Sequence, residues 1–163
     1  MENEIASNKR LTMTILMTPD LVNFAGNVHG GAILRYLDQA AYSCAARYSG
    51  NYVVTLSVDQ VFFREPIHVG ELVTFKASIN YTGTTSMEVG IKVIAEDTRS
   101  KTIRHVMSSF FTMVSVDKDR KPSQVPKLVL ENDTEKRRFE QAKIRKKLRA
   151  DYEAACRTVK IGS

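Results

Sequence analysis

Asn23, Gly30 and Asp38 fall within sixteen residues of one another, joined by the block Gly26-Asn27-Val28-His29-Gly30-Gly31 and the start of an apolar run. An amide side chain, a glycine-rich helix start and a carboxylate are the parts of an acyl-transfer site. The first N–H groups of a helix have no intrahelical partners and lie at the positive end of its dipole, so they can hold a developing oxyanion if no side chain blocks the approach. Gly30 and Gly31 leave that approach open, and Asp38 can act as base or nucleophile. Each residue also has a plainer role. A lone Asp at a core margin accepts hydrogen bonds from a neighbouring loop, and Asn23, close after Pro19 and Asp20, can bond its own backbone in a turn. His29, beside a helix start, can bond backbone, and no Ser or Cys nucleophile pattern accompanies it.

These residues need a helix to position them, and the spacing supplies one. Ile33, Leu34, Leu37, Ala40, Ala41, Cys44 and Ala45 recur every three or four residues, which predicts a helix from about Gly30 to Tyr48 with one broad apolar face. On that wheel Asp38 lies beside the buried stripe, where a carboxylate must be paired or open onto a cleft. The small residues Ala40, Ala41, Ala45 and Ala46 would let another backbone come close.

The rest of the chain reads as sheet. Leu11–Met17 suits a strand, and Val53–Phe63, β-branched and aromatic, reads as one long strand after the turn at Ser49-Gly50-Asn51. Glu71–Tyr81, Ser86–Glu96 and Thr102–Val116 follow, separated by Gly83-Thr84-Thr85 and by Asp97–Lys101. Four strands joined in succession predict an antiparallel meander, and with the one helix an α+β layer: a curved sheet wrapped around a central helix. Such a sheet exposes its edges, and pairing two copies edge to edge is the natural remedy.

At 163 residues, with 43% hydrophobic and 26% charged content, the chain can build a core without staples. It has no apolar run long enough to span a membrane and no hydrophobic segment in its first ten residues, which read as a poorly ordered start; a cytoplasmic protein is expected. Cys44 and Cys156 make no disulfide framework. With His29, His68 and His105 far apart, they make no metal spacing either, so no metal is expected.

The formal charge of +6 is concentrated at one end. Residues 127–163 hold eleven Lys and Arg against six Asp and Glu, beyond a linker, Lys121-Pro122-Ser123-Gln124-Val125-Pro126. The chain therefore divides into a main unit, 1–126, and a basic helical extension, 127–163. Asn132 or Asp133 can cap a helix from about Thr134 to Arg157, with Ile144, Leu148, Tyr152 and Ala155 as its narrow apolar stripe. A basic tail points to an anionic partner or to a solvated face. No helix-turn-helix pattern or aromatic-basic interleaving accompanies it, so nucleic acid is not an expected partner.

Asn23-Phe24-Ala25-Gly26-Asn27-Val28-His29-Gly30-Gly31, Leu37-Asp38-Gln39-Ala40-Ala41, Ser57-Val58-Asp59, Phe63-Arg64-Glu65-Pro66-Ile67 and Val69-Gly70 together closely resemble hotdog-fold acyl-CoA thioesterases of the cytosolic acyl-CoA hydrolase type. The likeness covers about residues 11–126, and the basic tail is similar to an extension on some bacterial members. It implies hydrolysis of a fatty acyl-CoA to free acid and CoA, with no cofactor, since CoA is part of the substrate. By motif position, Asp38 takes the role of general base or nucleophile. Asn23 polarises the carbonyl or holds water, and the Gly30 N–H serves the oxyanion. In the family these halves come from different protomers, which implies a homodimer at least, and relatives often form hexamers.

Ser57 matches a position where some members carry a water-orienting hydroxyl, and it serves equally as an ordinary strand serine. Arg64 and the turn Gly83-Thr84-Thr85-Ser86 match regions that contact CoA in relatives. Thr84 departs from the Arg that several of them carry, which moves the expected phosphate charge to Arg64 or the basic tail. Two rivals remain: a hotdog enoyl-CoA hydratase, which needs an Asp-His dyad at a different spacing, and a non-catalytic acyl-CoA-binding or nucleic-acid-binding module.

Overall fold

The computed structural model describes residues 8–159. Residues 1–7 of the expected disordered start lie outside that range. Of the remaining residues of that stretch, Lys9 and Arg10 are held: the Lys9 ammonium donates to the Val129 carbonyl at 2.8 Å and pairs with Glu131 at 2.9 Å, and Arg10 opens the first strand. The elements run β1 (Arg10–Leu16), a 3-10 turn (Pro19–Leu21), α1 (Gly30–Ser49), β2 (Tyr52–Val58), β3 (Leu72–Thr82), β4 (Ser86–Asp97), β5 (Thr102–Val116) and α2 (Asp133–Thr158).

One antiparallel sheet forms in the order β1-β3-β4-β5-β2, and α1 touches all five strands. Alternation decides which face meets the helix: Phe75 opposite Val93, Ala77 opposite Ile91 and Ile79 opposite Val89 are all buried and turned to one side. They close on Ile33, Leu37, Ala40, Ala41, Cys44 and Ala45 of α1. This is the curved sheet around a central helix expected of the hotdog fold. The helix ends where Gly50 takes a left-handed conformation, φ +71°, and its N–H bonds the Ala46 carbonyl at 2.9 Å.

Two expectations about the strands need correction. The run Val53–Phe63 is not one strand: β2 stops at Val58 and residues 59–71 form a long connection. Asp59 still bonds the Phe110 carbonyl, but its carboxylate is drawn to Arg149 of α2 at 2.8 Å, and Phe62 and Phe63 leave the sheet. The four strands are also not a simple meander. β3, β4 and β5 are, but β2 crosses to pair with β5, leaving β1 and β2 as the edges.

The C-terminal helix lies against the sheet's outer face, on the side away from α1. Asn132 caps it by accepting from the Glu135 N–H at 3.0 Å. The expected apolar stripe is not what docks: Ile144, Leu148 and Tyr152 are exposed. The docking face is Arg138, Phe139, Ala142, Arg145 and Arg149. The Arg145 guanidinium grips buried Glu88 with two bonds, 2.6 and 3.0 Å, while covering the Phe110 ring at 3.6 Å. Glu88 also accepts from Asn80, which accepts in turn from the Ser78 hydroxyl, and Arg138 reaches that hydroxyl. Helical periodicity misleads here because arginine stems and ion pairs form the buried contact. No helix among the described residues is long and apolar enough to cross a membrane.

Candidate active site

The loop before α1 is organised by Asn23. Its side-chain carbonyl accepts from the N–H groups of Ala25 and Asn27 at 2.9 and 3.1 Å, and its own N–H donates to the Asn27 carbonyl at 2.7 Å. The turn role open to this residue is therefore real, and it has a chemical consequence. With the oxygen pinned, the amide Nδ2 keeps both donors without a hydrogen-bond partner among the described residues.

The helix start leaves one donor free as well. His29 is the N-cap, and its Nδ1 accepts from the Gly31 N–H at 2.9 Å. The N–H groups of Ala32 and Ile33 both reach the His29 carbonyl. Of the first turn's donors, Gly30 N–H alone has no acceptor among the described residues. The Phe63 ring, brought in by the long connection, lies 3.4 Å from where a Cβ on Gly30 would sit, which puts an aromatic side chain beside the helix start. That connection is anchored by Arg104, which bonds the Glu71 carboxylate at 2.7 and 3.0 Å, Glu65 at 3.2 Å and the Pro66 carbonyl.

Asp38 borders the buried stripe, three residues before Ala41 and seven before Ala45, yet it is exposed on the protomer, on the margin of α1 shared with Leu34 and Tyr42. Its Oδ1 accepts a 2.6 Å hydrogen bond from the Thr55 hydroxyl of β2. Thr55 was not singled out from the sequence, since a threonine in a β-branched strand carries no distinguishing signal. A bulge follows it, and Leu56 is passed over in the pairing before Ser57 meets Thr112. The Ser57 hydroxyl makes no hydrogen bond among the described residues.

Asp38 and Gly30 are eight residues apart on one helix, so their separation along its axis is about 12 Å. Within one protomer they cannot both meet a single carbonyl. Leu34 and Tyr42, one turn either side of Asp38, are exposed, and on β2 Tyr52, Val54 and Leu56 are exposed as well, with Tyr42 packed edge-on against Tyr52 at 5.8 Å. β2 is also an open sheet edge.

Arg64 is exposed, with its guanidinium over the Phe62 ring at 5.3 Å. The turn Gly83-Thr84-Thr85-Ser86 lies at the sheet end nearest Thr55. It is closed by the Gly83 N–H on the Ser86 carbonyl at 2.8 Å, and the carbonyls of Thr84 and Thr85 hold Val125 and Ser115. Lys146 of α2 reaches this turn, its Nζ 3.8 Å from a notional Cβ on Gly83 and 5.2 Å from the centre of the Tyr81 ring.

Residues 25–102 match the thioesterase superfamily model. A crystal structure of a hexameric acyl-CoA thioesterase superposes with a TM-score of 0.86 at 34% identity, covering 89% of this chain and 93% of that one. The chain belongs to the thioesterase superfamily. Within that family it is 47% identical to Protein VdlD of Helicobacter pylori, over 90% of this chain and 83% of the relative. The acyl-CoA hydrolase of Staphylococcus aureus, solved with butyryl coenzyme A, superposes with a TM-score of 0.84 at 28% identity, covering 93% and 92% of the two chains. Variants of that hydrolase have been solved with an Asn, an Asp or a Thr replaced by Ala; the Asn and Asp are fifteen residues apart, the Asp and Thr seventeen.

Proposed function

We propose that this chain hydrolyses fatty acyl-CoA thioesters at a site assembled from two copies. Asp38 of one copy is the general base or nucleophile. Asn23 Nδ2 and Gly30 N–H of the other hold the carbonyl oxygen. The observation that carries this reading is the Thr55–Asp38 hydrogen bond, because it fixes a carboxylate on an outward apolar helix face beside an open strand edge. Asn23, Asp38 and Thr55 are also spaced fifteen and seventeen residues apart, as are the three residues replaced in the Staphylococcus aureus hydrolase.

In the hydrolytic route, Asp38 takes a proton from water as the oxygen attacks the thioester carbon. The carbonyl π pair moves onto oxygen, where two preorganised donors meet it. Collapse expels the CoA thiolate, which is protonated, and the acid is released. Attack by the Asp38 oxygen itself would form an anhydride that water then opens, using the same donors.

A second copy docked on β2 and the exposed face of α1 would remove Leu34, Val54 and Leu56 from water and complete the site. Likeness to a hexameric acyl-CoA thioesterase supports further assembly of such dimers. The hydratase reading is disfavoured because the His29 ring nitrogen is engaged in capping α1.

The test is release of free thiol from saturated acyl-CoAs of short to long chain, with wild type and Asp38→Ala compared. Turnover by wild type and a loss of about 100-fold or more in a folded variant is expected. Equal rates in the two would end the proposal.

A further inference from the structure

The outer face of the sheet carries a cluster that hydrolysis does not use. Thr12, Lys76, Lys92 and Ser108 are ladder partners in one row across β1, β3, β4 and β5, so Lys76 stands directly opposite Lys92. Like charges at opposed positions repel, and neither ammonium has an ion pair among the described residues. Facing the row from α2 are Arg137, also without an ion pair among the described residues, and Arg138, whose contact is the Ser78 hydroxyl at 3.4 Å.

Sheet and helix enclose a groove of about 700 Å³. Its lining includes Arg10, Lys76, Lys92, Arg137, Arg138 and Arg145, and no Asp or Glu. Arg10 is answered by Glu135 at 3.1 Å and Arg145 by Glu88 at 2.6 Å, which leaves four cations uncompensated. Gly90 adds no side chain to the lining, and the Asn80 amide lies directly over it, so the polar atoms of Asn80 and Ser78 also border the groove.

We propose that this groove binds a polyphosphate group: two or more phosphoryl groups carried on one small molecule. Four cations converge from two walls, matching the three to four negative charges of a di- or triphosphate, and guanidinium forks suit phosphate oxygens. The groove's size suits a nucleotide-sized ligand. It lies across the sheet from α1 and Asp38, so binding there does not depend on the thioesterase reading. Two sources share this chemistry, a free nucleoside polyphosphate and the phosphorylated nucleotide end of CoA.

Isothermal titration calorimetry of the full chain at 0.15 M salt, with inorganic pyrophosphate, ADP and CoA as separate probes, tests the proposal. Pyrophosphate is expected to bind once per chain, about tenfold more weakly to Lys92→Gln or to Arg137→Gln and more weakly still to the double variant. Both side chains are exposed, so the variants should fold. Without ligand, Lys92→Gln should melt higher than wild type, because Lys76 loses its opposed charge, and should gain less on adding pyrophosphate. ADP binding at least as tightly as CoA would assign the site to free nucleotides; CoA binding about tenfold tighter than ADP would assign it to the substrate's nucleotide end. Equal affinity of wild type and double variant for pyrophosphate would overturn the proposal, as would stabilisation by sodium chloride alone at matched ionic strength. Tighter binding of a duplex oligonucleotide than of any of the three probes would overturn it in favour of nucleic acid.

Discussion

The Thr55 hydroxyl donates to Asp38 Oδ1 at 2.6 Å, and this contact ties the central helix to the sheet's edge strand. It leaves the second carboxylate oxygen of Asp38 without a protein partner among the described residues. Thr55→Val keeps the shape of the side chain and removes the donor. We expect kcat to fall by about tenfold or more with KM little changed, since a hydrogen bond to a charged group contributes about 1.5–3 kcal/mol. Steady-state kinetics on a saturated acyl-CoA checks this; an unchanged kcat would separate Thr55 from the site.

Gly30 can be tested without disturbing the helix it begins. Proline is favoured at a first helical position, and His29, with φ −63° and ψ 132°, already has the extended backbone that a following proline requires. Gly30→Pro deletes the N–H and should lower kcat by about 100- to 1,000-fold with the helical circular dichroism retained. Gly30→Ala keeps the N–H and brings a methyl into ordinary contact with Phe63, so a much smaller loss is expected.

Gly90 tests the polar network beneath α2. A Cβ there would run into the Asn80 amide nitrogen, and Asn80 cannot yield easily because it is bonded to both Ser78 and Glu88. Gly90→Ala should lower stability by about 1–3 kcal/mol, measured by urea unfolding. Adding Asn80→Ala should recover part of that loss.

The first turn of α2 should loosen in acid. Glu135 is held below the ordinary carboxylate value of 4.5, first by the backbone N–H of Glu131 and then by Lys9, with Arg10 adding a hydrogen bond. A depressed carboxylate contributes stability above its unfolded value and loses it as pH falls through its folded value. Hydrogen exchange in residues 131–139 should therefore rise below pH 4.5 before the sheet opens, and Glu135→Gln should show that faster exchange already at pH 7.

Much of this protein was legible locally. The three- and four-residue spacing from Ile33 to Ala45 located α1 within a residue or two, and alternation located β3, β4 and β5, because each pattern records which side of its own element meets apolar neighbours. The glycine block was legible for a related reason, since the bare donor at Gly30 follows from where a helix begins. What failed depended on partners distant in sequence. Val53–Phe63 looked like one strand, yet where β2 ends is set by its pairing with β5 and by the pull of Arg149 on Asp59. The apolar stripe of α2 named the wrong face because arginines, a glutamate and Ala142 make the contact. Thr55 was invisible for the same reason: only the crossing of β2 to the far edge of the sheet brings its hydroxyl to Asp38. Periodicity records how an element divides its own surface between core and water. Which charged or polar groups meet across elements is decided when the chain closes on itself.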